Sequence, residues 1–247
     1  MMLFGHELSD KALSFMAAYE QELDKEIRFA ALPAHYPQWS ALDQADGFQI
    51  IGIQPVMPDA AFEATLCHEI YHAYQFACGF PTVISNDKNK KDVVLYTEHL
   101  QGNVLDLSAD NTIREYGFDD SFIMNKRYKN LKSLSISNFA ACREPFDRDL
   151  LAVDLILDFH SITENQKSLI LQKLEAELPD VYKQYLIYQR RIDRYGYQTP
   201  IGCFKIFGFI INSMELWPYC HILYQDEEIH TLEHFMKVSA ADPQGSA

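Results

Sequence analysis

The chain has 247 residues, of which 48% are hydrophobic and 23% are charged, and its formal net charge is −14. This length is enough for one large domain or two small ones with a substantial core, and the composition excludes a disordered or fibrous protein for most of the chain. The negative charge opposes binding to phosphate backbones and anionic lipids, so we expect neither a nucleic-acid partner nor a membrane partner.

The first ten residues and the cysteines indicate the cellular compartment of the protein. The segment MMLFGHELSD has no basic leader followed by an apolar core, which an export signal requires. Charged residues interrupt the most apolar stretches before they reach the roughly 20 residues of a membrane-spanning helix. The five cysteines are odd in number and show no C-x-x-C spacing, which favours buried, reduced thiols. We therefore expect a cytoplasmic protein in which any zinc has histidine and carboxylate ligands.

The N-terminal third is predicted to contain one helix followed by a small sheet. Apolar residues recur at helical intervals over residues 9–31, which predicts an amphipathic helix that Pro33 ends. Residues 48–54, FQIIGIQ, are β-branched and partly alternating, and they predict one or two strands. A second helix is predicted over residues 60–77, with Asp59 as its N-cap.

Within this second helix, His68-Glu69-Ile70-Tyr71-His72 forms an H-E-x-x-H motif. Positions four apart on a helix return to within about 40° of one another, so both imidazoles project from one face and can bind one ion. Glu69 would lie beside that ion, where its carboxylate can take a proton from a zinc-bound water. A helical histidine pair can also be structural, but isolated polar groups in apolar surroundings are costly, which favours metal binding.

A catalytic zinc ion needs a third protein ligand, and the next predicted helix, residues 92–116, is the expected source. Glu98 lies in an apolar stripe of this helix and not on its polar face, and an acidic residue in such a stripe is expected to meet a cation. We therefore predict that His68, His72 and Glu98 bind the zinc. The alternative for Glu98 is an exposed carboxylate at the edge of the helix.

Asp106 is the main alternative as the third ligand. Asp106 and Asp110 form a carboxylate pair four residues apart, so one could bind the metal while the other accepts a hydrogen bond from a metal-bound imidazole. A solvated helix face is the simpler interpretation of this pair. His230 and His234 are also four apart, but the glutamates around them indicate an exposed acidic face and not a second metal site.

The rest of the chain is predicted to be helical, and a polar stretch at residues 126–138 divides it into domains of residues 1–125 and 126–247. The further helices are predicted over residues 147–160, 164–178, 179–193, 204–214 and 226–238. The predicted fold class is α+β and mainly helical, with a small N-terminal β-sheet and a helical C-terminal extension.

The HEIYH motif with Glu98 on the following helix resembles the gluzincin group of zincin metallopeptidases, and the small bacterial IrrE/ImmA-like peptidases are the nearest comparison. The resemblance covers about residues 48–118. It implies a zincin-like catalytic core with His68 and His72 as zinc ligands, Glu69 as general base and Glu98 as the ligand from the next helix.

The sequence thus predicts a zinc-dependent metallopeptidase with Zn²⁺ as its cofactor and a peptide or protein as its substrate. The strand at residues 48–54 is expected to align an extended peptide by edge pairing. The alternative is a metal-binding regulatory or protein-interaction protein that keeps the scaffold without general proteolysis. Glu69 favours the enzyme, because a metal site that only stabilises the fold needs no base at that position.

Overall fold

The computed structural model describes residues 1–23, 25–36, 38–45, 47–133, 145–160 and 162–241. The protein is mainly helical with small β-sheets, which confirms the predicted α+β class. Two compact units divide the chain: Met1–Cys78 with Ala109–Met124, and Gly79–Ser108 with Asn125–Ala247. The predicted boundary between residues 125 and 126 lies one residue from the last of these divisions, whereas Gly79–Ser108 groups with the second unit.

The first unit contains a short hairpin, a three-stranded sheet and the helix that carries the motif. The hairpin is formed by β1 (Met2–Leu3) and β2 (His6–Glu7), and α1 (Asp10–Glu20) follows it. The sheet contains β3 (Glu26–Ala31), β4 (Ser40–Ala45) and β5 (Phe48–Ile53) in the order β3-β5-β4. Strand β5 is parallel to β3 and antiparallel to β4. The motif helix, α2 (Asp59–Ala77), packs on β4, β5 and α1.

The core of the first unit fixes how α2 is oriented. Phe62, Leu66 and Ile70 on α2 are fully buried and share one cluster with Phe15 of α1 and Ile51 of β5. These side chains recur at helical intervals, so they define the apolar face of α2. The motif histidines therefore lie on the remaining, half-buried part of the helix surface.

The predicted helix over residues 9–31 is wrong in its second half. Helix α1 begins after Ser9, whose hydroxyl accepts a hydrogen bond from the amide of Ala12, and it ends at Glu20. Ile27 and Phe29 then alternate from β3 towards the core. Because Ile27 fits both the helical and the strand period, the apolar spacing did not distinguish the two structures. The strand predicted at residues 48–54 is confirmed as β5.

The second unit combines helices with another three-stranded sheet. Its strands β6 (Thr82–Ser85), β7 (Cys220–Tyr224) and β8 (Glu227–Ile229) are antiparallel and lie in the order β6-β7-β8. Helices α3 (Lys91–Glu115) and α4 (Ser121–Ser133) each contain residues of both units. The later helices are α5 (Pro145–His160), α6 (Glu164–Glu177), α7 (Pro179–Tyr195), α8 (Pro200–Ser213) and α9 (Leu232–Ala241).

Most helices of the C-terminal half lie where the sequence predicts them, but the last one begins later. The prediction over residues 226–238 is wrong at its start, because Glu227–Ile229 forms β8 and pairs with β7. The helix itself begins only at Leu232. Pairing with a remote strand overrides the local helical pattern in this segment.

The cysteines of the described residues are free thiols, and most of them are buried. Cys67, Cys203 and Cys220 are buried free thiols and Cys78 is an exposed one, whereas Cys142 lies outside the described residues. None of the helices in the described part of the chain combines the length and hydropathy that are needed to cross a bilayer.

A contact from the N-terminal hairpin anchors the start of α2. The predicted N-cap role of Asp59 is wrong: Pro58 occupies that position without a side-chain cap, and Asp59 is the first helical residue. The Oδ1 atom of Asp59 lies 2.7 Å from Nδ1 of His6, and the carbonyl oxygen of Pro55 lies 2.8 Å from the Nε2 atom of the same ring. The ring of His6 also stacks on Phe62, with centroids 4.0 Å apart.

We expect His6→Ala to lower the free energy of unfolding by about 1–3 kcal/mol, because the buried ring of His6 loses its stacking on Phe62 and its bond to the half-buried carbonyl of Pro55. His35→Ala is the control, since His35 is exposed and its replacement should change stability by less than about 0.5 kcal/mol. Urea unfolding followed by circular dichroism measures both variants. Equal stability of the two would contradict the anchoring role of His6.

Candidate metal centre

Two imidazoles meet on one face of α2. His68 and His72 lie one turn apart with their Nε2 atoms 2.9 Å from each other. Their ring centroids are 4.5 Å apart and the rings are inclined at 82°. The prediction that the H-E-x-x-H spacing directs both rings to one point is confirmed.

The other nitrogen of each ring is bound to an acceptor. Nδ1 of His68 lies 3.2 Å from Oδ1 of Asp110, and Nδ1 of His72 lies 2.7 Å from Oε1 of Gln75. Because an ionised carboxylate and an amide oxygen only accept hydrogen bonds, these contacts favour a proton on each Nδ1. In neutral rings, each Nε2 then presents a lone pair to the other.

Two lone pairs at 2.9 Å repel each other, and a cation between them removes the repulsion. Two nitrogens that bind one tetrahedral zinc ion at about 2.0–2.1 Å lie about 3.4 Å apart, so a small rotation of the rings would accommodate the ion. The donor set is therefore suited to a divalent metal with a preference for imidazole ligands.

Asp110 is itself held in place. Its side chain is only 5% exposed, and its second oxygen, Oδ2, lies 3.7 Å from Nη2 of Arg114. The Nε atom of the same Arg114 lies 2.7 Å from Oδ2 of Asp120. This chain of charges fixes the carboxylate that orients His68, an arrangement that commonly stabilises metal-bound histidines.

Asp106 lies one turn before Asp110 on α3 and completes a group of three possible ligands. One ligand atom from each of His68, His72 and Asp106 lies within 4.8 Å of the others, and this is the single such group found among the described residues. Oδ2 of Asp106 also lies 3.6 Å from Nη2 of Arg127. The pair of aspartates on α3 thus contributes one possible ligand and one orienting carboxylate.

Glu98 is not part of this group. Its side chain is exposed, and it precedes Asp106 by about 12 Å along the helix axis and about 80° around it. The apolar stripe that suggested Glu98 is buried towards the C-terminal end of α3, at Leu105 and Ala109, whereas Leu95 near Glu98 is 50% exposed. The group of possible ligands therefore contains Asp106, the alternative ligand, and does not contain Glu98, whose side chain is exposed.

Glu69 is buried beside the histidines and is held at one oxygen. Its side chain is on α2, it is 7% exposed, and its Oε1 accepts a hydrogen bond of 2.6 Å from the hydroxyl of Ser40. Ser40 is the first residue of β4. Glu69 follows His68 directly in the motif, and its carboxylate is not one of the ligand atoms of the three-residue group.

The weaker candidates form ordinary ion pairs. His230 and His234 bind the exposed carboxylates of Glu228 and Glu227 at 3.0 and 2.7 Å, in agreement with the predicted acidic surface. His99 hydrogen-bonds to Asp154, and that bond raises the pKa of the imidazole. None of these histidines belongs to a metal-binding group in the part of the chain that the structure describes.

Sequence reasoning missed Ser40 and Gln75. Gln75 follows His72 by three residues, and neighbours at that spacing on a helix can contact each other, so the pattern itself contained a signal. Ser40 had no comparable signal, because its contact with Glu69 depends on how β4 packs against α2.

Two convergent imidazoles, a nearby carboxylate and a separate buried carboxylate are the components of a metal-assisted hydrolysis site. Comparison with protein-family models, with curated proteins and with solved structures finds no match to this chain.

We expect both His68 and His72 to be Nδ1–H tautomers in the metal-free protein at mildly alkaline pH, because each Nδ1 faces an acceptor. Long-range ¹H–¹⁵N correlation spectra identify the tautomers, and added zinc should shift the two Nε2 signals. His35 is the control, since it is exposed and should not respond to one equivalent of zinc. An Nε2–H tautomer of either motif histidine would contradict the proposed arrangement.

Proposed function

We propose that this protein is a zinc-dependent hydrolase with a zincin-like core, and that it is a metallopeptidase. The observation that carries the proposal is the convergence of the two Nε2 atoms, while each Nδ1 atom faces an acceptor. A buried acid next to the pair adds the second component of a hydrolytic site. The sequence resemblance to gluzincins points to the same chemistry.

His68, His72 and Asp106 are the proposed zinc ligands. Two imidazoles and one carboxylate are a usual ligand set for catalytic zinc, which keeps a fourth position for water or substrate. A zinc ion bound by these residues would supply Lewis acidity, lowering the pKa of a water molecule and polarising a carbonyl group. Asp110 and Gln75 hold the rings in the tautomer that the ion requires.

Glu69 is the proposed general base. Its carboxylate takes a proton from the attacking water and returns that proton to the leaving amine. Burial of Glu69 keeps bulk water away from this proton transfer, and the bond from Ser40 leaves the other carboxylate oxygen available.

The proposed substrate is an extended peptide, and β4 is the strand that would align it. The prediction that the strand at residues 48–54 does so is wrong, because β5 is paired with β3 on one side and with β4 on the other. Strand β4 pairs only with β5 among the described strands, so its outer edge can accept a further strand. Its first residue, Ser40, contacts the proposed base directly.

We expect Glu69→Gln to lower kcat/KM by about 10²–10⁴-fold while the zinc content stays the same, because the variant loses the base and keeps the ligands. His72→Ala should lose both zinc and activity. Zinc is measured by elemental analysis, and activity is measured with a library of internally quenched peptides. No cleavage by the zinc-loaded wild-type protein, or full activity of Glu69→Gln, would overturn the proposal.

A matched pair of variants distinguishes the two possible third ligands. We expect Asp106→Asn to weaken zinc binding by more than about 100-fold and Glu98→Gln to leave it unchanged. A loss above about 100-fold exceeds the usual effect of removing a residue that only hydrogen-bonds to a metal ligand. Competition with a chelating dye measures both affinities. The opposite result would make Glu98 the ligand and would show that Asp106 serves only as the ion-pair partner of Arg127.

A further inference from the structure

The link between Ser40 and Glu69 joins the proposed base to the edge strand of the sheet. The hydroxyl of Ser40 donates to Oε1 of Glu69 at 2.6 Å, within the range of a charge-assisted O–H···O⁻ bond. Glu69 is buried, and no partner of its Oε2 atom is found within the described residues. One oxygen of the carboxylate is therefore fixed and the other is left for proton transfer.

Ser40 is held in position by Gln54. The side-chain amide of Gln54 donates to the carbonyl oxygens of Tyr36 and Gln38, at 2.7 Å each. Its backbone N–H donates to the carbonyl of Trp39 at 2.9 Å, and Ser40 then pairs in register with Ile53. Gln54 is itself 4% exposed. The segment that delivers the hydroxyl is thus fixed to the sheet immediately before β4 begins.

A base that is free to rotate would lose its alignment with the water it must activate. The last torsion of a glutamate side chain is broad, so packing at the β-carbon does not fix the plane of the carboxylate. A hydrogen bond to one oxygen does fix it. A misplacement of about 1 Å at a catalytic group can cost about 10²-fold in rate.

We infer that Ser40 is a positioning residue, whose hydroxyl orients the carboxylate of Glu69 for proton transfer. The inference rests on the proposed function of Glu69 as the base. Ser40 takes no proton and forms no bond with the substrate in this role. Because Ser40 is also part of the free edge strand, a peptide that pairs with β4 would bind next to the group that orients the base.

The test compares Ser40→Thr with Ser40→Val in the zinc-loaded protein. The two side chains have nearly the same shape and both suit a β-strand, but only threonine keeps the hydroxyl. We expect Ser40→Val to lower kcat by about 10–100-fold with KM and zinc content unchanged, and Ser40→Thr to retain most of the activity. Ser40→Ala should behave like Ser40→Val.

A second readout does not depend on turnover. In the metal-free protein, the side-chain carboxyl ¹³C signal of Glu69, identified by its loss in Glu69→Gln, should move in Ser40→Val and return towards its original position in Ser40→Thr. The positioning role is overturned if Ser40→Val keeps the wild-type kcat and carboxyl signal while Glu69→Gln is inactive. It is also overturned if both variants lose zinc together with activity. An inactive zinc-loaded wild-type protein would instead remove the proposed function, and this inference with it.

Discussion

The candidate site depends on one electrostatic constraint, the approach of two imidazole Nε2 atoms to 2.9 Å. Each Nδ1 atom faces an acceptor, and with protons on both Nδ1 atoms the lone pairs of two neutral rings would face each other at this distance. Asp110 lies beside the ring of His68, and Asp106 belongs to the same group of possible ligands as the two histidines. A divalent cation would satisfy the lone pairs and the carboxylates together.

Two pairs of residues with the same spacing on their helices have different roles in such a site. His68 and His72 lie four residues apart on α2, and Asp106 and Asp110 lie four residues apart on α3. The first pair directs both side chains to one point, whereas the second supplies one possible ligand and one carboxylate that orients a ring. The same helical periodicity is thus used in two ways: the two histidines meet each other, whereas the two aspartates contact different partners.

Local patterns predicted the elements whose structure is decided within a few residues. The motif helix and the helices from Pro145 to Ser213 follow from apolar spacing and from breakers such as Pro179. Strands β6, β7 and β8 were not predicted. Val83 pairs with Ile222, which lies far along the chain, and no local signal specifies that pairing. A helical projection alone does not decide between Glu98 and Asp106 for a related reason: it shows which residues share a face, but it does not show how far along the helix that face is buried.

The organisation of the first unit favours a catalytic ion over a structural one. Structural zinc sites are closed by four protein ligands, and they commonly replace a core that the chain is too small to build. Here the ligand group has three members, and Phe15, Ile51, Phe62 and Leu66 already form a fully buried core beside it. A unit that can fold on its apolar core has no need of an ion for stability. We therefore interpret the ion of the proposed site, with three protein ligands and a position left for water or substrate, as catalytic and not as structural.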